Sequence, residues 1–429
     1  MKVQISNLPK STVELTIEVD EQELAEFEKQ ALQQLATKVE IAGFRPGKAP
    51  LAMARKHIDP VKLLEETANI AIPRLYGKAV LENKLEAIGS PRVEIVKFAP
   101  GNPLVFKAVV AVLPKFDLPD YRGLHVKHEE VKVTDAQIER FLRQLQRSRA
   151  TEKTVTRAAQ MGDAVEIDFD ITQNKVPLEH GSGKKHPAIL GDGVFVPGFE
   201  EELVGLSVGQ EKDFSLTFPE DYNKKSLAGK KADVHVKMLS IRERVMPPID
   251  DAFAKTVGKF ENLIDLKAKL KENLELDADL KEKERFESDI LSTLAGKIQT
   301  EIPDVLLQGE LDKMGRELEQ SLVSQGASFE DYLKAIGKSL DELKKGWVEQ
   351  ANKRIKIGLL IRAIAKKENV AATAEEADVE INATLRQNPG NKEVVKTVES
   401  PAYKDYVKQI IVNRKTIKLL SSWAEGKKN

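Results

Sequence analysis

The spacing of apolar residues changes twice along this chain, and that change restricts it to folds with several separate domains. Within residues 150–245, apolar and polar positions alternate, as at Val165, Ile167 and Phe169, which predicts short strands joined by glycine-rich turns. From residue 249 onward, apolar residues recur at helical spacing instead. A chain of 429 residues with both patterns is expected to hold several cores, because one core rarely serves more than about 250–300 residues.

The first 113 residues predict a compact α+β domain. The run TVELTIEV at 12–19 alternates as a half-buried strand does, and Asp20 with Glu23 predicts the start of a helix. Further predicted elements are a helix after Pro50, a long helix over 60–88, and strands over 92–98 and 104–112.

Residues 114–149 predict a linker that leads into the first part of a helical body. Pro114 opens the linker, Leu124–Val126 has the pattern of a short strand, and Thr134 with Gln137 predicts a capped helix. The fold class predicted for the whole chain is therefore α+β multidomain. Its predicted domains are an N-terminal α+β domain at 1–113, this linker at 114–149, an antiparallel β domain with a short helix at 150–245, and an all-α C-terminal domain at 246–429.

The composition excludes several classes of chemistry. The chain has no cysteine, which rules out disulfides, zinc–thiolate sites, iron–sulfur clusters and a cysteine nucleophile. Its 67 Lys+Arg against 68 Asp+Glu argue against nucleic-acid binding by the chain as a whole, but not against a local basic contact. Neither a signal peptide nor an apolar run near the roughly 18 residues of a membrane span is visible. We therefore expect a soluble protein of the cytoplasm with no membrane partner.

Common cofactor motifs are missing as well. His180–Lys184 faintly resembles a phosphate-binding loop, but Leu178 stands where a glycine is required and Lys185 where Ser or Thr is required. Gly191–Gly193 lacks the third glycine of a dinucleotide fingerprint. We therefore expect no nucleotide, metal or other cofactor.

The segment Gly43–Pro50, GFRPGKAP, lies between two predicted helices and has the composition of a protruding loop. Its cations Arg45 and Lys48 suit phosphates or carboxylates, and Phe44 suits a shallow apolar pocket. The alternative is an ordinary interhelical turn whose cations are solvated.

This loop resembles the ribosome-docking signature of the bacterial trigger factor family, Gly-Phe-Arg-x-Gly-x-x-Pro, and the resemblance extends over the whole chain. It implies a chaperone that docks beside the exit tunnel of the large ribosomal subunit, on protein and neighbouring rRNA. The docking residues that it implies are Phe44, Arg45, Gly47 and Lys48. Pro46 stands where some members have Lys, which implies a weaker electrostatic share of docking.

The resemblance also implies the partners of the helical C-terminal region, which holds no catalytic constellation. Nascent and unfolded polypeptides would bind there through weak, distributed contacts that impose no sequence. The resemblance is also compatible with a homodimer away from the ribosome. The rival hypotheses are a stand-alone isomerase whose helices act as a scaffold, and a structural protein with neither activity.

The β-rich segment resembles an FKBP-type peptidyl-prolyl isomerase in Gly191–Glu200 and Phe218–Tyr222. Rotation about an X–Pro bond must overcome roughly 18–20 kcal/mol of amide resonance, and it needs no nucleophile or metal. An apolar pocket that accepts the twisted amide better than the planar one is enough. The site residues that the resemblance implies are Phe169, Glu179, Phe195, Val196, Phe199 and Tyr222, with Leu227 at the rim.

This segment departs from the family pattern in its aromatic residues. Leu178 and Glu179 align where Phe and an acidic residue are usual, His186 aligns with another pocket Phe, and Val234 replaces a third aromatic. Fewer rings predict weak isomerase activity. The alternative is a β domain that binds peptide but isomerises it poorly.

Overall fold

The computed structural model describes residues 1–39, 44, 50–99, 102–222, 225 and 227–426, without the side chains of residues 179 and 180. Contacts divide the chain into two compact units, one of Met1–His128 with Lys283–Asn429 and one of Glu129–Glu282.

Strands and helices of the described residues follow in this order: β1 (Lys2–Leu8), β2 (Thr12–Val19), α1 (Glu21–Ala36), α2 (Leu51–His57), α3 (Pro60–Glu82), β3 (Ala87–Lys97), β4 (Leu104–Val112), α4 (Asp135–Ser148), β5 (Thr151–Thr154), β6 (Ala164–Gln173), β7 (Val176–Ile189), α5 (Phe199–Leu203), β8 (Glu211–Thr217), β9 (Lys231–Val245), α6 (Asp251–Val257), α7 (Leu263–Gly296), α8 (Asp304–Ser324), α9 (Phe329–Ile336), α10 (Leu340–Gly346), α11 (Val348–Lys367), α12 (Ala374–Gln387), α13 (Lys392–Val398) and α14 (Pro401–Ala424).

The first unit contains a four-stranded antiparallel sheet in the order β1-β2-β4-β3. Alternate residues of a strand point to the same face, and Leu15 pairs with Ala108 while Ile17 pairs with Phe106. All four side chains are fully buried, in a core that also includes residues of α1 and α3. The strand predicted over 12–19 is confirmed.

Two predictions for this unit are wrong. The helix predicted over 60–88 ends at Glu82. The side-chain amide of Asn83 donates to the Ala79 carbonyl one turn earlier (2.7 Å), and Lys84 turns the chain with a φ of 51°. Leu124–Val126 forms no strand. Its apolar side chains pack instead in a cluster with residues of α7, α11 and α14.

The second unit contains a five-stranded antiparallel sheet in the order β5-β9-β6-β7, with β8 paired to β9. The alternation that predicted strands around Val165–Phe169 and Val234–Met238 is confirmed in β6 and β9. Their apolar residues form one core with Phe199 and Leu203 of α5. No helix among the described residues is both long and apolar enough to cross a membrane.

Candidate functional site

Three phenylalanines that the sequence analysis assigned to the site lie together in the core of the second sheet. The rings of Phe195 and Phe199 stack at 4.4 Å with an interplanar angle of 8°. The Phe169 ring meets both edge-on, with centroids 5.9 and 6.0 Å away. Phe169 and Phe199 are buried, whereas Phe195 is partly exposed. These favourable ring geometries form an apolar wall in which Phe195 is the partly exposed ring.

A histidine completes this wall where the resemblance had placed a phenylalanine. The His186 ring lies 5.6 Å from the rings of Phe169 and Phe195 and meets both edge-on. Leu178 and Val196 are partly buried against the same core. Val234 is only 2% exposed and belongs to the core itself. Of these side chains, only the His186 imidazole is polar.

The other predicted residues lie beside this wall or outside what is described. Tyr222 is 36% exposed and its ring tilts over Phe218 at 4.7 Å, and Leu227 is 9% exposed in the same core. Glu179 lies in β7, and its side chain lies outside the described atoms. The geometry therefore brings Phe169, Phe195, Val196 and Phe199 together and leaves Tyr222 as a half-open rim.

Gly183 is a site residue that sequence reasoning missed. It pairs with Phe169 across β6 and β7. A Cβ at this glycine would lie 2.6 Å from Phe169 Cε1 and 2.9 Å from Cζ. The ring therefore lies directly over the glycine backbone, and no larger residue leaves room for it there. A glycine inside a strand often marks such a close approach, and that signal was present in the sequence.

Glu200 is a second residue that sequence reasoning left without a role. The residue is 6% exposed, and its carboxylate accepts backbone N–H bonds from Gly191 (2.7 Å), Gly193 (3.2 Å), Val194 (3.0 Å) and Phe195 (3.4 Å). Burial by itself raises the pKa of Glu200, but these four donors outweigh it, and the pKa is lowered. The carboxylate thus fastens the loop that carries Phe195 and Val196.

Replacing Glu200 with Gln is expected to flatten the acid dependence of stability in this domain. A carboxylate whose folded pKa lies below the ordinary value of about 4.3 stabilises fully above that value and loses its contribution as pH falls through the folded pKa. The stability difference between wild type and Glu200→Gln should therefore be largest near neutral pH and should shrink below about pH 4.

Amide hydrogen exchange at matched pH values measures this difference. Asp163 also has a lowered pKa, because hydrogen bonds from Arg157 and Gln160 outweigh its burial. It titrates in the same acid range, so only a comparison of wild type with the Glu200 variant separates the two contributions. A difference that stays constant from neutral pH to pH 3 would contradict the role assigned to Glu200.

An apolar wall of this kind is the type of surface that favours rotation of a bound amide. Such a surface removes water from the carbonyl, and water favours the polar, planar form. The described side chains of this wall include no Ser or Thr hydroxyl, and no group of three or more His, Asp and Glu among the described residues could hold a metal ion. Rotation about an X–Pro bond requires neither.

The candidate docking loop joins α1, which ends at Ala36, to α2, which begins at Leu51. Phe44 is 40% exposed, a large fraction for an aromatic side chain. The other predicted docking residues, Arg45, Gly47 and Lys48, lie outside the described residues.

Comparison with known proteins agrees with this architecture along the whole chain. A family described as "Bacterial trigger factor protein (TF)" matches residues 1–145, and its C-terminal counterpart, "Bacterial trigger factor protein (TF) C-terminus", matches residues 262–422. A protein named "Trigger factor" from Carboxydothermus hydrogenoformans is 39% identical over 423 residues, which cover 98% of both chains. The chain belongs to the bacterial trigger factor family. A relative of the same name from Moorella thermoacetica is 38% identical, over 92% of this chain and 91% of its own.

The middle of the chain has its own match. Residues 155–239 match the family "FKBP-type peptidyl-prolyl cis-trans isomerase", and this range contains the aromatic wall, Gly183 and Glu200. The second unit therefore holds an FKBP-type isomerase domain. A solved structure titled "Promiscuous Substrate Recognition in Folding and Assembly Activities of the Trigger Factor Chaperone" shares the fold, with a TM-score of 0.53 and 22% identity over 98% of this chain and 99% of that one.

Proposed function

We propose that this protein is a ribosome-associated chaperone that receives nascent chains at the exit tunnel, with a middle domain that isomerises X–Pro bonds without a cofactor. The observation that carries the proposal is family membership over nearly the full length, with 98% of the chain aligned to a trigger factor. The stand-alone isomerase is not favoured, because the regions before and after the isomerase domain match the same family.

For the isomerase step, we propose that the prolyl ring binds against Phe169, Phe195 and Phe199, with Val196 and Tyr222 at its sides. Phe195 is partly exposed, so its ring is accessible to an extended chain, and the buried rings of Phe169 and Phe199 hold it in place. The His186 edge offers a polar contact where a phenyl ring offers none. A wall of this kind lowers the barrier only by holding the twisted amide better than the planar one.

For docking, we propose that the loop of Phe44, Arg45, Gly47 and Lys48 contacts large-subunit protein and neighbouring rRNA beside the exit tunnel. The exposure of Phe44 supports this, because an exposed aromatic side chain is available to anchor in a pocket of a partner. We place the protein in the cytoplasm on the strength of its family. The exposed apolar side chains Val93 and Ile95, which lie on the same face of β3, support a homodimer away from the ribosome.

Replacing Phe44 and Arg45 together with Ala is expected to lower co-sedimentation with ribosomes at least tenfold, because it removes the apolar anchor and one phosphate-binding cation. The measurement is pelleting of purified ribosomes through a sucrose cushion at several protein concentrations. A matched control is Lys404→Ala with Tyr406→Ala, which removes an exposed cation and an exposed ring from α14. Equal pelleting by wild type and the loop variant would overturn the docking proposal.

A further inference from the structure

Helix α4 carries a row of arginines on the face opposite its buried side. Arg140, Arg143 and Arg147 follow one another at i, i+3 and i+7, which places them on one face of a helix, and all three are exposed. Ile138 and Leu142 are 7% and 1% exposed and pack with residues of α6 and α7. The helix is thus anchored by one side and presents guanidinium groups on the other.

Few carboxylates neutralise this row. Within the described part of the chain, Arg140 and Arg143 form neither an ion pair nor a side-chain hydrogen bond. Arg147 lies 3.8 Å from Asp192, a long and exposed pair that contributes little. Arg244 Nη2 donates to the Arg147 carbonyl (2.7 Å), which brings a fourth guanidinium group to the end of the row.

Several cations of α7, the neighbouring long helix, are paired where those of α4 are not. Three of its exposed lysines lie beside carboxylates one turn away. These pairs are Lys269–Glu272 (2.7 Å), Lys271–Glu275 (3.9 Å) and Lys281–Asp277 (2.7 Å). Because the chain as a whole has a net charge of −1, a general excess of basic residues does not explain the unpaired arginines of α4.

The chemistry of this face suits phosphate better than a peptide. The exposed side chains of this face are those of Ala136, Glu139, Arg140, Arg143, Gln144 and Arg147. These include no large apolar side chain to anchor a polypeptide. Guanidinium groups bind phosphate oxygens in pairs. From Arg140 to Arg147 the row extends about 10 Å along the helix, enough for successive phosphates of one strand.

We propose that the Arg140, Arg143 and Arg147 face binds the phosphate backbone of RNA without reading its bases. On the ribosome, this face makes a second contact to ribosomal RNA, through the unit that holds the isomerase domain. This location on the ribosome rests on the proposed function. Three phosphate contacts give weak binding that depends strongly on salt. The association constant for duplex RNA should fall about 40-fold for a fourfold rise in salt.

The test uses the full chain and a fluorescein-labelled RNA hairpin, with binding followed by anisotropy between 25 and about 200 mM KCl. The variant is Arg140→Gln with Arg143→Gln and Arg147→Gln, because Gln keeps the helix propensity and removes the charge. The matched control is Lys269→Gln with Lys271→Gln and Lys281→Gln, which changes the net charge equally. Circular dichroism verifies that both variants stay folded.

We expect the arginine variant to bind the hairpin at least tenfold more weakly at 50 mM KCl and to lower the salt slope by about 2–3, while the control changes affinity less than twofold. Equal binding by wild type and the arginine variant, or no binding by wild type at 25 mM KCl, would overturn the proposal. Labelled polyglutamate that binds wild type as tightly as RNA, with the same arginine dependence, would assign the face to acidic polypeptides instead.

The loop variant Phe44→Ala with Arg45→Ala separates this proposal from the proposed function. The docking proposal predicts that this variant loses ribosome pelleting, whereas the proposal for α4 predicts that most of its hairpin binding remains, because Arg140, Arg143 and Arg147 are intact. Loss of hairpin binding in the loop variant would move the RNA contact to the loop and overturn the proposal. If the loop variant still pelleted with ribosomes, the docking proposal would fail while the hairpin result stood unchanged.

Discussion

Replacing Glu200 with Ala is expected to lower the free energy of opening of the Gly191–Phe195 loop by about 2–4 kcal/mol. A bond from a neutral donor to a charged group contributes about 1.5–3 kcal/mol, but the four bonds share one carboxylate and water reaches the opened loop, so their contributions do not add. Phe195 is the last residue of this loop, and Val196 follows it directly. Its loosening should therefore also lower kcat/KM for an X–Pro peptide by about tenfold.

Hydrogen exchange of the amides of Gly191, Gly193, Val194 and Phe195 measures the first effect in the intact chain, and a protease-free assay on a fluorescent X–Pro peptide measures the second. Glu201→Ala is the matched control, because Glu201 is the neighbouring carboxylate on α5 and is exposed. Its effect should stay within about 0.5 kcal/mol. Protection of the loop amides equal to wild type in Glu200→Ala would refute the assigned role.

Both effects of Glu200 depend on partners that a sequence does not reveal. A glutamate after a phenylalanine at the start of a short helix has the pattern of a solvated first-turn acid, which the helix dipole favours. Its four donors are backbone N–H groups, and a backbone group has no residue-type signal. The phenylalanines of the wall could be assigned, because the motif around Gly191–Glu200 identifies their family.

Some strands could likewise be predicted from the sequence and others could not. Strands β2, β6 and β9 were predicted because one face is buried and the other is exposed, so their apolar residues alternate. Strand β7 was missed. Its pairing with β6 is interrupted by two register shifts, and Gly181, Gly183, Lys184 and Lys185 interrupt its apolar pattern. Leu124 was misread because packing against helices and packing in a sheet leave the same short apolar signal.

Replacing Gly183 with Ala is expected to destabilise the isomerase domain by about 1–3 kcal/mol, the usual cost of an overpacked core. An unobstructed glycine in a strand gives the opposite sign, because Ala there gains about 0.5–1 kcal/mol. The new Cβ would lie 2.6 Å from Phe169 Cε1, and that ring already contacts His186, Phe195 and Phe199. The ring must therefore turn out of the wall, which should lower kcat/KM for an X–Pro peptide several-fold.

Adding Phe169→Leu to Gly183→Ala tests whether the ring is the cause. Leucine lacks the ring atoms that meet the new Cβ, so the second change should cost less in the Gly183→Ala background than in wild type. The double-mutant cycle should give a favourable coupling of about 1–2 kcal/mol, read from hydrogen exchange of β6 and β9. Activity should stay low in the double variant, because the ring that Phe169 contributes to the wall is gone. Additive losses would mean that Gly183 matters for its backbone alone, and the close approach would then not be what positions Phe169.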